Sequence, residues 1–103
     1  MIKVSVLYPN EEGKKFDMDY YTGKHMPMVH SRLDSMGLLR TEVERGVSSA
    51  DPNAPAPFVA IGVLYFNTAE EVHEGFKTHG REIMGDIPNY TDIAPQFQIS
   101  EIV

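Results

Sequence analysis

Cysteine is absent from this 103-residue chain. Without a thiol, the chain can form no disulfide, no thiolate nucleophile and no iron–sulfur site, and a zinc site would need histidine and carboxylate ligands alone. Small secreted domains commonly depend on disulfides, whereas the reducing cytosol disfavours them. The absence of cysteine therefore favours a cytoplasmic protein.

Positive charge and long apolar runs are also scarce. Nine basic residues stand against fifteen acidic ones, a net charge of −6 at pH 7, and only Lys14 and Lys15 are adjacent. Nucleic-acid binding needs a clustered positive face, so we expect no nucleic-acid partner. No stretch reaches the roughly 18 apolar residues of a membrane helix, and residues 1–4 lead into a strand pattern rather than a secretory signal. We therefore expect no membrane association.

The apolar pattern predicts four strands in a single domain of residues 1–103. Residues 58–66 are apolar on both faces, which is typical of a central strand. Charged residues alternate along the second strand, which indicates a sheet edge. The predicted strands are residues 2–8, 38–47, 58–66 and 96–103.

The first predicted helix begins at Asp17, a good N-cap, and ends at Gly37. Its pattern is interrupted, because Pro27 lacks an N–H group and its ring clashes with the carbonyl of Gly23. Residues before proline also avoid the helical region. We therefore expect a break near His25 and a second helical segment that starts at Pro27.

The second predicted helix begins with a capping box, in which the Thr68 hydroxyl and the Glu71 carboxylate satisfy free amide groups of the first turn. Acidic residues lead this helix and basic residues follow near Gly80, so we expect His79 at its end.

The element order βαββαβ predicts a ferredoxin-like α+β fold, a four-stranded antiparallel sheet with two helices on one face. The third strand is nevertheless apolar on both sides, so the open face of the sheet needs a cover. A second copy of the chain, placed by a two-fold axis, is the simplest cover. We therefore expect a homodimer with a space between the sheet and the partner.

His25 is the first candidate for chemistry, because an imidazole titrates near neutral pH and can accept or donate a proton. Tyr21 lies four residues earlier on the same helix face, and Tyr20 is adjacent. A phenol beside an imidazole can stabilise a developing oxyanion. The alternative is a core histidine bonded to a backbone carbonyl, with tyrosines that only pack. His30 lies about 140° round the helix from His25, so we expect no metal site.

Further polar residues could line a pocket. Asn89 and Tyr90 precede the last strand, where they form either an ordinary loop or a pocket rim. Gln98 and Ser5 lie on the polar faces of the last and first strands. Those faces could line a ligand site, or could face solvent or the partner. With Tyr8 of the first strand, these are the expected substrate-binding residues.

Two spaced motifs carry a family resemblance. One ends in His25 and Pro27, and the other covers residues 86–95, with shorter matches at residues 6–9, at Gly37 and at residues 45–46. Together these stretches resemble the EthD family, and the resemblance covers nearly the whole chain. The first motif consists of Phe16, Asp17, Tyr20, Tyr21, His25 and Pro27.

The EthD family is named from a protein required for degrading ethyl tert-butyl ether beside a cytochrome P450 system. The resemblance implies a dimeric α+β barrel, related to cofactor-independent monooxygenases, isomerases, polyketide cyclases and decarboxylases. Several of these barrels use a histidine in the interior pocket, and His25 occupies the matching motif position.

Three functional hypotheses follow. The first is an oxidoreductase-type, isomerase-like or decarboxylase-like enzyme without a cofactor, in which His25 is the general acid/base for a small apolar, oxygen-bearing substrate. Tyr20 or Tyr21 would then orient the substrate or stabilise an oxyanion. The second is a binding protein that carries a small hydrophobic ligand for a partner oxidase. The third is a purely structural dimer with a filled interior.

Overall fold

A computed structural model describes all residues, 1–103. The strands are β1 (Ile2–Pro9), β2 (Arg40–Arg45), β3 (Phe58–Phe66) and β4 (Gln96–Glu101). They form a four-stranded antiparallel sheet in the order β2-β3-β1-β4, with helices on one face. This is the ferredoxin-like fold that the element order predicts. No helix is both long and apolar enough to cross a bilayer.

The predicted strands are found at the expected positions in the chain, but not all of them have the expected length. Strand β3 matches its predicted residues and is central, whereas β2 is an edge strand and is shorter than predicted. Strand β4 ends at Glu101, two residues before its predicted end at Val103, which is fully exposed.

The first helical segment is continuous, so the predicted break at His25 is wrong. It consists of α1 (Met18–Tyr20), a π-helical turn (Tyr21–His25) and α2 (Met26–Leu33). Asp17 is the N-cap, as predicted, and its carboxylate accepts from the Tyr20 N–H at 3.0 Å.

The π turn explains how this segment accommodates Pro27. The Met26 N–H donates to the Tyr21 carbonyl, five residues back, so the helix is wider where an α-helical turn would clash with the proline ring. Met26 itself keeps helical dihedral angles, φ −64° and ψ −39°, despite the bias against them before proline. The irregularity was predictable from Pro27, but its form was not.

Helix α3 (Ala69–Asp86) carries the predicted capping box at Thr68 and Glu71 but runs well past its predicted end at His79. Gly80 is buried within it, and a glycine inside a helix costs only about 1 kcal/mol relative to alanine. Because the helix continues, its last residue is Asp86.

The core lies between the sheet and the helices. Val4, Val6 and Tyr8 of β1 point to this side and are buried, and Phe97 and Ile99 of β4 pair in register with Val6 and Val4. The helices do not extend over β4, so Phe97 and Ile99 remain 46% and 43% exposed. An apolar groove therefore runs between α3 and β4.

A short bridge joins the loop before α1 to the loop after α3. The Asp17 N–H donates to the Tyr90 carbonyl at 2.8 Å, and the Thr91 hydroxyl donates to the Lys15 carbonyl at 2.6 Å. The Lys15 N–H donates to Asp92 Oδ1 at 2.9 Å. These contacts, the loop bridge, fix Tyr90 against the start of the first helical segment.

Candidate functional site

His25 and Asp86 form a hydrogen-bonded pair close to the loop bridge. His25 Nδ1 lies 2.9 Å from Asp86 Oδ2, and the histidine is 4% exposed. The π turn places the imidazole at its last residue, and α3 places the carboxylate at its own last residue. Two separate helices therefore meet at this pair.

The carboxylate of Asp86 is held in place by two further donors. The Tyr20 hydroxyl donates to Asp86 Oδ1 at 2.8 Å, and the Asn89 side-chain amide donates to the same oxygen at 2.9 Å. An ionised carboxylate accepts hydrogen bonds and cannot donate them, so the His25 Nδ1 carries the proton in this contact. The other nitrogen, Nε2, is then the basic one.

Nε2 of His25 has no hydrogen-bond partner in the chain. It is nevertheless not sealed off, since every fully enclosed side-chain nitrogen and oxygen has a partner. His25 is the one non-hydrophobic residue among the twelve that line an inner cavity between the helices and the sheet. The free lone pair of Nε2 is thus available to a molecule that enters from this side.

Burial lowers the pKa of His25 below its ordinary value, and the hydrogen bond and charge of Asp86 oppose this shift only in part. Burial raises the pKa of the Asp86 carboxyl, but the hydrogen bonds from Asn89, His25 and Tyr20 outweigh it and lower that pKa overall. At neutral pH the pair is therefore a neutral imidazole held by a carboxylate, the state needed for a general base.

Aromatic rings surround the imidazole. The Tyr21 ring stacks on His25 with centroids 5.5 Å apart and planes 16° apart, and the Tyr90 ring lies 4.6 Å from the imidazole. The Tyr8 hydroxyl is 2.6 Å from that of Tyr90. Burial raises the pKa of Tyr8, Tyr21 and Tyr90, so these phenols stay protonated and can act as hydrogen-bond donors.

A glycine on β3 makes room for this cluster. A Cβ atom at Gly62 would collide with the Tyr21 hydroxyl, which lies against the strand backbone at that point. The stacking of Tyr21 on His25 therefore depends on the absence of a side chain at Gly62.

Two neighbouring cavities that share part of their lining lie on this side of the sheet. The outer one fills the groove between α3 and β4 and has a volume of about 190 Å³. The inner one, next to His25, has about 20 Å³, roughly the space of one water molecule. Three side chains line both cavities: Phe76, Met84 and Phe97.

The structure brings together most of the residues singled out in the sequence, but with different contacts. Tyr8, Tyr21, His25 and Tyr90 form one cluster. Tyr20 and Asn89 contact Asp86 instead, on the side away from the imidazole's free nitrogen.

Ser5 and Gln98 do not join this cluster, and their role in substrate binding stays a prediction. They pair with each other in register on the face of the sheet opposite to the helices. Side chains alternate along a strand, and Val4 and Val6, on either side of Ser5, face the helices. The polar strand residues therefore belong to the open face.

Asp86 is the principal site residue that the sequence reasoning did not single out. It lies in the second spaced motif, but the expected helix end at His79 left it in a loop with no partner. A helix continued by about two further turns would have placed Ile83 and Asp86 toward the first helical segment. No group of three histidine and carboxylate side chains is arranged to hold a metal ion.

Comparisons with solved structures identify relatives of this fold. An EthD-like protein from Ralstonia eutropha JMP134 is 47% identical over 99% of this chain and 91% of its own, with a TM-score of 0.93. An EthD family protein from Bacillus halodurans C-125 is 21% identical over 100% and 99%, with a TM-score of 0.69. A candidate antibiotic biosynthesis monooxygenase from Nitrosomonas europaea shares the fold at 13% identity, over 100% and 99%, with a TM-score of 0.61. No protein-family model and no curated protein matches the chain.

Proposed function

Because this chain belongs to the EthD-like family, we propose that it is a small-molecule enzyme in which His25 transfers a proton as general acid/base. One observation carries the proposal: a buried imidazole is fixed by a carboxylate at Nδ1, while its Nε2 is free beside an apolar cavity. A structural histidine would be expected to have both nitrogens satisfied or exposed.

The proposed step begins when Nε2 accepts a proton either from a carbon next to a carbonyl group or from a phenolic hydroxyl of the substrate. The bonding electrons remain on the substrate as an enolate or phenolate, and its oxygen accepts a hydrogen bond from a phenol. Tyr8 and Tyr21 both line the inner cavity and are protonated donors. Return of the proton at another carbon gives an isomerase. Attack of the enolate on dioxygen gives a peroxide, and loss of water from that peroxide turns the original CH₂ group into a carbonyl. One oxygen atom is then incorporated, the other leaves as water, and the substrate supplies all the electrons, so no cofactor is needed.

Tyr20 and Asn89 have a different proposed role from the one expected. Both donate to Asp86 Oδ1, so they orient the carboxylate, which in turn fixes the tautomer of His25. We therefore treat Tyr20, Asn89 and Asp86 as positioning residues, and His25 with Tyr8, Tyr21 and Tyr90 as the group that contacts the substrate.

Proton exchange provides a test that needs no natural substrate. 2-Indanone is neutral and apolar and carries acidic protons beside its carbonyl, and their replacement in D₂O is visible by proton NMR. We expect the protein to accelerate this exchange and His25→Gln to lower the rate constant at least 100-fold, because general base catalysis contributes about 10²–10⁴-fold. His30→Gln is the matched control, since His30 is exposed and lines neither cavity, and it should retain the wild-type rate. Equal exchange by His25→Gln and the wild type would refute the role of His25.

The second candidate function is a binding protein that holds a small apolar molecule for a partner oxidase. The narrow inner cavity favours it, since about 20 Å³ leaves no space for a substrate beside Nε2 in this conformation. A protein that binds 2-indanone in the outer groove but gives no exchange above the buffer rate would support this alternative.

The proposed assembly is a cytoplasmic homodimer formed through the open face of the sheet. Leu7 of β1 and Ile61 of β3 point to this face and are half-buried, beside Val63 and Tyr65, which are already buried within one chain. A second copy would remove the exposed parts of Leu7 and Ile61 from water. Ile61→Lys should shift the mass in solution from dimer to monomer by light scattering, whereas Val47→Lys, at a 90% exposed position off the sheet, should not.

A further inference from the structure

The outer groove and the inner cavity are separated by side chains, not by backbone. Phe76, Met84 and Phe97 line both spaces, and the imidazole of His25 lies behind them. A molecule in the outer groove therefore reaches Nε2 only when at least one of these three side chains moves.

Met84 is the side chain best able to move. Phe76 packs against the core, and Phe97 is anchored by the pairing of β4 with β1. Met84 is 39% exposed, and its unbranched side chain has three rotatable bonds. It also borders an open surface depression formed by residues 87–95, so it has solvent-filled space into which it can turn.

From this arrangement we propose that Met84 is the gate between the outer groove and His25, and that it admits a neutral, apolar molecule of one or two rings. This inference rests on the proposed function of His25. When Met84 turns toward the depression, the two cavities join, and the ligand can present one proton-bearing group to Nε2.

The size and charge of the ligand follow from the lining of the groove. An apolar protein cavity of about 150 Å³ is known to hold benzene, so the outer groove, at about 190 Å³, suits a single ring with substituents or a small fused pair. His73 at its mouth is the one polar residue among seven that line it. A carboxylate or ammonium group would lose hydration against this lining with His73 as its one polar neighbour, so we expect charged ligands to bind more weakly than neutral ones.

The gate can be tested with phenol, toluene and benzoate as probes. The NMR signals of the His25 ring report contact at Nε2, and the line shapes during titration give association rates. We expect phenol to shift the His25 signals, toluene to enter without a hydrogen-bond shift, and benzoate to leave them unchanged.

Substitutions at position 84 should change the rate and leave the imidazole itself intact. Met84→Ala should raise the phenol association rate about tenfold, and Met84→Trp should lower it by a similar factor. Met84→Leu, which keeps the volume but stiffens the side chain, should lower it about threefold and serves if the tryptophan variant does not fold. Met28→Ala is the matched control, since Met28 lines the polar pocket on the far side of Asp86.

Each outcome separates the gate from the function of His25. If phenol shifts His25 at the same rate in all position-84 variants, the gate is refuted and the proposed function stands. If phenol fails to shift His25 even in the opened Met84→Ala variant, both the gate and the proposed function are refuted. Binding of benzoate as tight as that of phenol would overturn the assignment of a neutral ligand.

Discussion

The segment from Met18 to Leu33 and helix α3 cover the same face of the sheet, yet only α3 is regular throughout. The first segment has a π turn ahead of Pro27, and the imidazole of His25 is at the last residue of that turn. Helix α3 has a capping box, runs for 18 residues, and ends in the carboxylate that holds the imidazole. The irregular helix therefore carries the group proposed to react, and the regular helix carries the group that fixes it.

This difference indicates that the two helical segments have different roles in the fold. A π turn shifts the side chains that follow it relative to an α-helix, and such turns are frequent at functional sites. The Asp86 carboxylate, in contrast, has to be held at a fixed position, and the regular backbone of α3 provides that position. The following predictions test whether the irregular segment depends on its surroundings more than α3 does.

The largest effect is expected at Gly62. In Gly62→Ala the new methyl group collides with the Tyr21 hydroxyl and displaces the ring that stacks on His25. Overpacking of this kind costs about 1–3 kcal/mol, and we expect the upper part of that range because both atoms are confined. Urea denaturation should show the loss in the free energy of unfolding.

The matched control is Gly85→Ala in the regular helix. A Cβ atom at Gly85 meets nothing within 4 Å, so this variant should be unchanged or up to about 1 kcal/mol more stable. If both glycine variants lose the same stability, the contrast between the two helical segments does not hold.

The next effect concerns the hydrogen bond between the Tyr8 and Tyr90 hydroxyls. Removing one hydroxyl leaves the other in a buried site with a poorer partner, which costs about 1–3 kcal/mol. Tyr8→Phe and Tyr90→Phe should each show this loss, and the double variant should lose less than the sum of the two. Strict additivity in this double-mutant cycle would show that the two hydroxyls do not interact.

The N-caps of the two helical segments should contribute equally to stability, although the interiors of the segments differ. Asp17 caps the irregular segment and Thr68 caps α3, each by accepting from a first-turn amide. Asp17→Ala and Thr68→Ala should each lower the free energy of unfolding by about 1 kcal/mol. A much larger loss for Asp17→Ala would mean that the π turn is itself held by the cap.

The smallest effect is the pH dependence due to His25. Burial lowers its pKa in the folded state, so the unfolded chain binds more protons between that pKa and the unfolded value of about 6.5. The free energy of unfolding should therefore fall as the pH drops below about 6.5 and level off beneath the folded pKa. In His25→Gln this part of the profile should be flat. A profile for His25→Gln that matches the wild type between pH 7 and 5 would assign the effect to another group.

Much of the fold could be predicted from local patterns. Apolar residues on both faces identified β3 as central, and the caps at Asp17 and Thr68 fixed both helix starts. The sequence pattern gave the wrong result where tertiary contacts determine the course of a helix. Gly80 does not end α3, and Pro27 causes a π turn rather than a break. The site was predicted at His25 and the tyrosines, but Asp86 was missed, because only packing between the two helical segments brings it to the imidazole.

The separation of Ser5 and Gln98 from the site has a similar cause. Polar residues on strands indicate a solvated or ligand-facing surface, and the sequence does not reveal which face of the sheet the site will use. The register of β1 with β4 settles this, since it places Ser5 opposite Gln98 on the face away from His25.

The loop bridge also has a consequence for folding kinetics. Its hydrogen bonds join Lys15 to Thr91 and Asp92, 76 and 77 positions away along the chain. Closing such long loops has a large entropic cost, so contacts of this kind form late and slow the folding of a domain. The pocket around His25 should thus be among the last parts to assemble. The Asp17 amide should therefore exchange its hydrogen faster than the amides of β1 and β3, because the loop bridge can open while the sheet stays folded.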